Sequence, residues 1–503
     1  MAQRRTTPRL LIVTPEVAYL PKEMGDMANY LSAKAGSLGD ISASLINALF
    51  EKGIDVHIAL PDYRSIFNAR VAPLIAKEIR NIRKNIPENR IHLAEDRAFF
   101  YRDSIYHGDD NALLSISFQR EVMNNIIPLV QPDIIHCHGW MTGLIPGMAR
   151  HMGIPCLFTV HNIRVIKSTL SFIEDKGIDA LACWKYFYYE RMPISYEESL
   201  ENNNVDFLIS GIFGAHFVNT VSPTFLQEII CKKFDFIDEN LRRELKNKWN
   251  AGCATGILNA PAPSFNPSTD KTLYQNYNPN DHKEGKNNNK IKIQEQFGLI
   301  KDENAPLFFW PSRLDNENKG SQLLVEILYK IISKYWNNNL QVIFVTNGRL
   351  RSAFSDLVNF HGFHNRVAIC DFDDKVSRQA FAASDFIFMP SFIEPCGLYQ
   401  MIAIIYGALP IIYDTGGLRD TVSHLDVKNN NGNGFVFKHF DSNGLFWAVT
   451  QAMEFFCLPQ DIKEAQIKRI MEQGLKKFNY SVTVDYYVDL YEKMLKRPLL
   501  NSF

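Results

Sequence analysis

The chain has 503 residues, too many for one core, and its 46% hydrophobic and 22% charged content is ordinary for a globular protein of roughly two or three domains. Lys and Arg total 54 against 55 Asp and Glu, so no net positive charge draws in a nucleic acid. No uninterrupted run of about 18 apolar residues offers a membrane span, the opening LLIV is too short for a secretory leader, and 8 cysteines without C-x-x-C spacing read as reduced thiols of a cytoplasmic protein.

Residues 9 to 60 read as strand, loop, helix, strand. LLIV is a short buried strand; LGDISASLINALF then puts Leu38, Ile41, Leu45, Ile46 and Leu49 on one helical face, and DVHIALP is the next strand. KAGSLGD (34–40) lies between the first strand and the helix. Gly36 permits close backbone approach, Lys34 adds charge, and a helix N-terminus suits a phosphate. Equally, Ser37 can cap the helix with Asp40 completing a short capping box.

PDIIHCHGW (132–140) and PCLFTVHN (155–162) are further strand-to-loop units around the helical MTGLIPGMAR, and GIFGAHFVNTVSPTF (211–225) repeats the theme. His161 and Asn162 stand at a strand end. His136 and His138 alternate with Cys137, but no third ligand is evident, so zinc is not expected. Prolines and small residues cluster in GILNAPAPSFNPSTD (256–270), the expected joint. NYNPNDHKEGKNNNKIK (276–292) and VKNNNGNG (427–434) read as exposed loops.

A second series starts at PLFFWPSRL (306–314) and runs through an amphipathic SQLLVEILYKIISKYW to QVIFVTNG, RVAICDF, DFIFMPS and LPIIYDTGG. Alternating short apolar strands and helices predict α/β architecture, with two doubly wound parallel sheets covered on both faces. Ligands of such sheets bind beyond the carboxyl ends of the strands, and two such domains facing each other would bind in the cleft between them. SRLDNENKG (312–320) sends Arg313 and Lys319 from a strand end, where two cations can clamp a diphosphate; the plain alternative is two surface charges. Glu394 is a lone carboxylate between FIFMP and the nearly uncharged LYQMIAIIYG. Beside it, the amides of Cys396, Gly397, Leu398 and Tyr399 would face a polyhydroxy phosphate ligand, unless Glu394 simply caps the helix. DTGGLRD (414–420) adds a second glycine turn that resembles KAGSLGD, as if each half brought one phosphate loop, with Thr415, Gly416 and Gly417 on the substrate.

The order of these motifs resembles the bacterial glycogen synthase and plant starch synthase family of GT-B glycosyltransferases over nearly the whole chain. KAGSLGD is similar to K-T-G-G-L, HGWMTGL to H-D-W-H-T/A-G-L, NTVSPTF to T-V-S-P-T-Y, and TVHN is intact. GILNAP, SRLDNENKG, EPCGLYQ and YGALPIIYDTGGLRDTV are similar to G-I-L-N-G-I-D, S-R-L-x-x-x-K-G, E-P-C-G-L-T-Q and Y-G-T-L-P-I-V-x-x-T-G-G-L-x-D-T-V. Departures concentrate in the first half: Gly139 for Asp, Met141 for His, Ser37 for Gly, Ala35 for Thr, and an insertion PKEMGDMANYLSA before Lys34.

The resemblance implies a GT-B fold with two Rossmann-like domains facing a deep cleft: an acceptor-side domain over 1–257, a nucleotide-sugar domain over 258–482, and a terminal helix over 483–503 crossing back to the first. It implies glucosyl transfer from ADP-glucose or UDP-glucose to the non-reducing 4-hydroxyl of an α-1,4-glucan, with retention and with neither metal nor other cofactor. Arg313 and Lys319 would hold the donor diphosphate, Glu394 and the amides of 396–399 the glucose and phosphate, and His161 the sugar at the reaction centre. Phe372 would stack on the base, Asn259 would lie at the donor-side linker, and Trp140 would offer a face to an acceptor sugar. HGWMTGL and TVHN contain no carboxylate to serve as the nucleophile of a double displacement, so attack on the face of the departing phosphate is expected. Two other readings remain open: a GT-B transferase with a small or lipid-linked acceptor, and a low-activity or non-catalytic paralogue that binds nucleotide-sugar or glucan.

Overall fold

The computed structural model describes residues 7–25, 28–67, 90–106, 109–314 and 317–500. The chain divides into two compact units, one comprising Met1–Asn259 with Tyr480–Phe503 and the other Ala260–Asn479.

Among the described residues the first unit carries a seven-stranded parallel sheet. Its strands are β1 (Arg9–Val13), β2 (Asp55–Pro61), β3 (Ile91–Ala94), β4 (Ile134–His138) and β5 (Cys156–Val160). A short antiparallel pair, β6 (Lys167–Ser168) and β7 (Val205–Asp206), precedes β8 (Phe217–Thr220) and β9 (Ala254–Gly256). The order is β3-β2-β1-β4-β5-β8-β9, so the winding reverses between β1 and β4. Every residue of β4 and β5 is buried, as expected of strands covered on both faces. The terminal helix Tyr480–Leu495 belongs to this unit. It packs on the first helix, Ser37–Glu51. Its buried Tyr487 and Tyr491 reach the sheet: Asn219 donates to the Tyr487 hydroxyl at 3.0 Å, and Tyr491 Oη lies 2.7 Å from His136 Nδ1.

The second unit holds β10 (Leu307–Trp310), β11 (Gln341–Val345), β12 (Val367–Cys370), β13 (Phe386–Met389), β14 (Leu409–Tyr413) and β15 (Phe435–Phe437). These are parallel, in the order β12-β11-β10-β13-β14-β15, with the reversal between β10 and β13.

One expected loop is a helix. His282–Phe297 is helical through the Asn- and Lys-rich segment, and Lys286, Asn289 and Lys290 are buried in it. The reason is that these polar groups serve backbone acceptors. Lys286 Nζ donates to the carbonyls of Ala382, Ser384 and Tyr406 at 3.1, 2.7 and 3.1 Å. It thereby satisfies carbonyls at the ends of two helices, Asp374–Ala383 and Tyr399–Ile405. Burial pushes its ammonium down to about 7. Lys290 pairs with Asp385 at 2.7 Å, and Gly285 lies where a Cβ would come within 2.3 Å of Tyr277. The segment 427–434 is made of turns and isolated bridges, as expected.

Candidate active site

In the second unit the winding reversal puts the ends of β10 and β13 side by side, the place where doubly wound sheets bind ligands. Lys319 follows β10 and Glu394 follows β13, and the fold joins them: Lys319 Nζ lies 2.5 Å from Glu394 Oε2. Ser391 Oγ donates to the same oxygen at 3.2 Å. The loops that carry this pair are tied together by main chain, with Phe392 N–H donating to the Asn318 carbonyl at 2.8 Å. Gly320 has φ +72°, and a Cβ there would come within 2.1 Å of the Pro390 carbonyl; only glycine meets both conditions. Glu394 is 7% exposed. It does not cap the helix Tyr399–Ile405, whose cap position is Leu398.

The glycine turn after β14 closes on the same loop. Gly417 N–H donates to the Glu394 carbonyl at 3.0 Å, so this amide braces the carboxylate's backbone instead of facing a phosphate as expected. A Cβ on Gly417 would come within 2.1 Å of the Cys396 carbonyl. Gln400 fastens the other side, donating to the carbonyls of Cys396 and Gly397 at 3.0 and 3.1 Å and to Thr421 Oγ1 at 3.1 Å. Thr415 and Gly416 are buried at the start of helix Gly416–Thr421. Arg313 is exposed at the end of β10. Phe372, 49% exposed beyond β12, has its amide held by Asn347 Oδ1 at 3.1 Å beyond the neighbouring β11.

In the first unit the loops after β1, β4, β5 and β9 carry the remaining residues. His161 Nε2 lies 2.9 Å from His138 Nδ1, with the rings stacked. Burial lowers the pKa of His161 to about 4, so its ring is neutral at pH 7. His138 and His136 are also held well below the usual imidazole value by burial. Asn162 is exposed, and its Oδ1 accepts from Arg164 N–H at 3.2 Å. Trp140 was expected to offer a face to a sugar, but it is 4% exposed. Tyr106 packs beside it, and the Arg164 guanidinium lies 5.2 Å from its ring centre. Gly139 has φ 72° and ψ −179°, backbone that an Asp in its place would adopt only with strain. Asn259 is 3% exposed, and neither polar atom of its side chain has a partner within the protein.

The first glycine loop departs from expectation. Glu16 Oε2 accepts from the amides of Ala35 and Gly36 at 2.8 and 3.1 Å, so an internal carboxylate fills the anion position assigned to Gly36. Lys34 pairs with Asp40 at 2.6 Å. Ser37 is the first helical residue behind an extended Gly36, without a side-chain cap, so the capping box is not formed.

Glu16, Asn347, Ser391 and Gln400 were not anticipated, and His138 was weighed only as a metal ligand. Gln400 had a readable sign, a buried-helix amide directly after a glycine turn; Glu16 had none, since its partners lie 19 and 20 residues away. Among the described residues no group of three or more His, Cys, Asp or Glu is placed to hold a metal ion, and no helix is long and apolar enough to cross a membrane. The arrangement supplies a carboxylate already paired with an ammonium in the second unit, and a neutral imidazole that can exchange hydrogen bonds in the first.

The starch synthase catalytic domain family matches residues 9–243, and glycosyl transferases group 1 matches residues 305–454. The glycogen synthase of Clostridioides difficile strain 630 is 30% identical over 494 residues, spanning 91% of this chain and 96% of its own. That of Bacillus subtilis strain 168 is 29% identical over 491 residues, spanning 92% and 96%. The catalytic domain of starch synthase IV from Arabidopsis thaliana, bound to ADP and acarbose, shares the fold with a TM-score of 0.79 at 24% identity, over 98% of this chain and 100% of that one.

Proposed function

Because the chain belongs to the family of bacterial glycogen synthases and plant starch synthases, we propose that this glucosyltransferase takes glucose from ADP-glucose and adds it to the non-reducing 4-hydroxyl of an α-1,4-glucan with retention. The observation that carries the reading is the meeting of Lys319 and Glu394 at the winding reversal of the second unit. ADP as the nucleotide is supported by the structural relative that binds ADP and acarbose.

In this reading Lys319 and Arg313 take up the two phosphates, and their charge stabilises the diphosphate as the C1–O bond breaks. The glucan 4-hydroxyl forms the new C1–O bond on the same face, and its proton passes to the departing phosphate oxygen. Glu394 receives sugar hydroxyls and favours positive charge developing at C1. The amides of Cys396, Gly397, Leu398 and Tyr399 face the sugar and phosphate, and Thr415 and Gly416 contribute to the same substrate site. Phe372 offers its exposed face to the adenine. In the first unit His161 hydrogen-bonds the transferred sugar, beside Asn162. Lys34, half-exposed, moves from Asp40 to the phosphate side, and Asn259 completes its hydrogen bonds on the donor.

The test is ADP release from ADP-glucose with and without maltooligosaccharide, repeated with UDP-glucose. Glucan-dependent ADP release with lengthening of the oligosaccharide is expected. Release that ignores the glucan sinks the acceptor assignment, and a preference for UDP-glucose sinks the donor assignment.

A further inference from the structure

The histidines of PDIIHCHGW have no place in that reading, yet the structure sets one of them directly behind His161. Its Nε2 faces His138 Nδ1 at 2.9 Å. His138 is fully buried, and its own Nε2 has no hydrogen-bond partner. On its other side lies His136, ring centres 4.0 Å apart. His136 is itself clamped between Tyr491 Oη and Thr159 Oγ1, each at 2.7 Å. Asn219, oriented by the Ile257 amide at 2.9 Å, donates to Thr159 at 3.3 Å and to Tyr487 at 3.0 Å. The His138 ring therefore stands against a braced wall.

Two tautomeric arrangements share the His138–His161 bond. If His161 donated from Nε2, a neutral His138 would carry its proton on Nε2 and bury an N–H with no acceptor. If His138 donates from Nδ1, its bare Nε2 is left as an unpaired acceptor. Among buried main-chain groups an orphaned N–H is rarer than an under-satisfied acceptor, and the same preference applied to the imidazole selects the second arrangement. His161 must then hold its proton on Nδ1, the ring atom turned away from His138. Resting on the reading that His161 contacts the sugar, we infer that His138 is a positioning residue that locks His161 into the Nδ1–H tautomer and so makes it a hydrogen-bond donor to a sugar oxygen. A free imidazole prefers the proton on Nε2, so without this lock His161 would lose the donor. A second-sphere partner that sets a tautomer in this way is a recurrent device of catalytic histidines.

The test is the ¹⁵N tautomer pattern of histidine-labelled enzyme, with the His161 signals assigned through His161→Ala. Wild-type enzyme is expected to show His161 protonated on Nδ1. His138→Leu is expected to move that proton to Nε2 and to lower kcat about 10²-fold, the loss of one aimed donor, with KM for ADP-glucose little changed. His138→Asn, whose amide NH₂ can occupy the place of Nδ1–H, is expected to restore both. A His161 proton on Nε2 in wild-type enzyme overturns the inference whatever the variants do, as does an unchanged tautomer in folded His138→Leu or equal damage in Asn and Leu variants. If His161→Ala keeps full turnover, His161 has no role on the sugar and the site reading fails, while the tautomer pattern still decides the lock.

Discussion

Removing the Glu394 carboxylate separates its chemical role from its structural one. Glu394→Ala deletes the acceptor of both Lys319 and Ser391. It leaves the carbonyl of residue 394, which Gly417 holds, in place. A charge-assisted hydrogen bond contributes about 1.5–3 kcal/mol; with 28% of the Lys319 side chain exposed, solvent screening points to the low end or below. About 1–2 kcal/mol corresponds to a melting shift of about 3–6 °C for a unit of this size. The effect on transfer should be larger. An electrostatic group aimed at charge that develops in the transition state contributes about 2.7–4 kcal/mol, or ~10²–10³ in kcat. ADP affinity should hold or rise, because Lys319 no longer has a competing partner for the diphosphate. Turnover is followed by ADP release with maltooligosaccharide, affinity by calorimetry, and the fold by melting. Turnover near wild type refutes the assignment; a loss of ADP affinity matching the loss of turnover makes Glu394 a loop brace instead.

Arg313→Ala and Lys319→Ala should each weaken ADP about 10-fold or more, because each leaves a phosphate charge unpaired; calorimetry with wild-type affinity in both removes them from the diphosphate site. Gly139→Asp has room, since a Cβ there meets nothing within 4 Å. The positive φ should nonetheless cost about 1–3 kcal/mol, and a urea midpoint equal to wild type contradicts that. Acid should weaken the fold through the first unit's histidines. His161 and His216 are lowered to about 4 and His136 and His138 lie well below their usual value, so unfolded chain takes up protons below about pH 6.5 that folded chain refuses. Stability is then fully present above about 6.5 and falls toward pH 4. Asp206, pushed up to about 6 by burial, works the other way, as one group against these four and His57, which burial also lowers. A denaturation midpoint that does not drop between pH 7 and 5 refutes the balance.

The strands were legible because parallel strands buried on both faces become unbroken apolar runs, as in CLFTV and FIFM. DVHIALP is a strand over its full length, Asp55–Pro61. The helix His282–Phe297 was not, because its inward residues are mostly polar, with Lys286, Asn289, Lys290 and Gln294 among them, and no apolar period marks it. The burial of Lys286 is repaid by carbonyls of Ala382, Ser384 and Tyr406, more than 90 residues away, which no local pattern displays. The same limit governs the site. Glu394 and Lys319 each stood out as a charge at a strand end, but their pairing across 75 residues comes from the adjacency of β10 and β13. The first glycine loop read equally as a phosphate cradle or a helix cap, and its amides hold neither. Its anion is Glu16 of the same chain, and a motif cannot tell an internal carboxylate from a phosphate.

Lys286 gives the second unit a built-in clock. Its amine is sealed under helix His282–Phe297 on three carbonyls, so an acylating reagent can reach it only when that helix lifts. The labelling rate then equals the ordinary lysine rate multiplied by the population of the opened state, and mass spectrometry of one peptide reports the opening free energy of the second unit's interior. Because the lysine holds the rear end of helix Tyr399–Ile405, the front of which meets the donor in the proposed reaction, ADP should slow the clock as its occupancy rises. A nucleotide titration would then be recorded by a side chain that the nucleotide never touches.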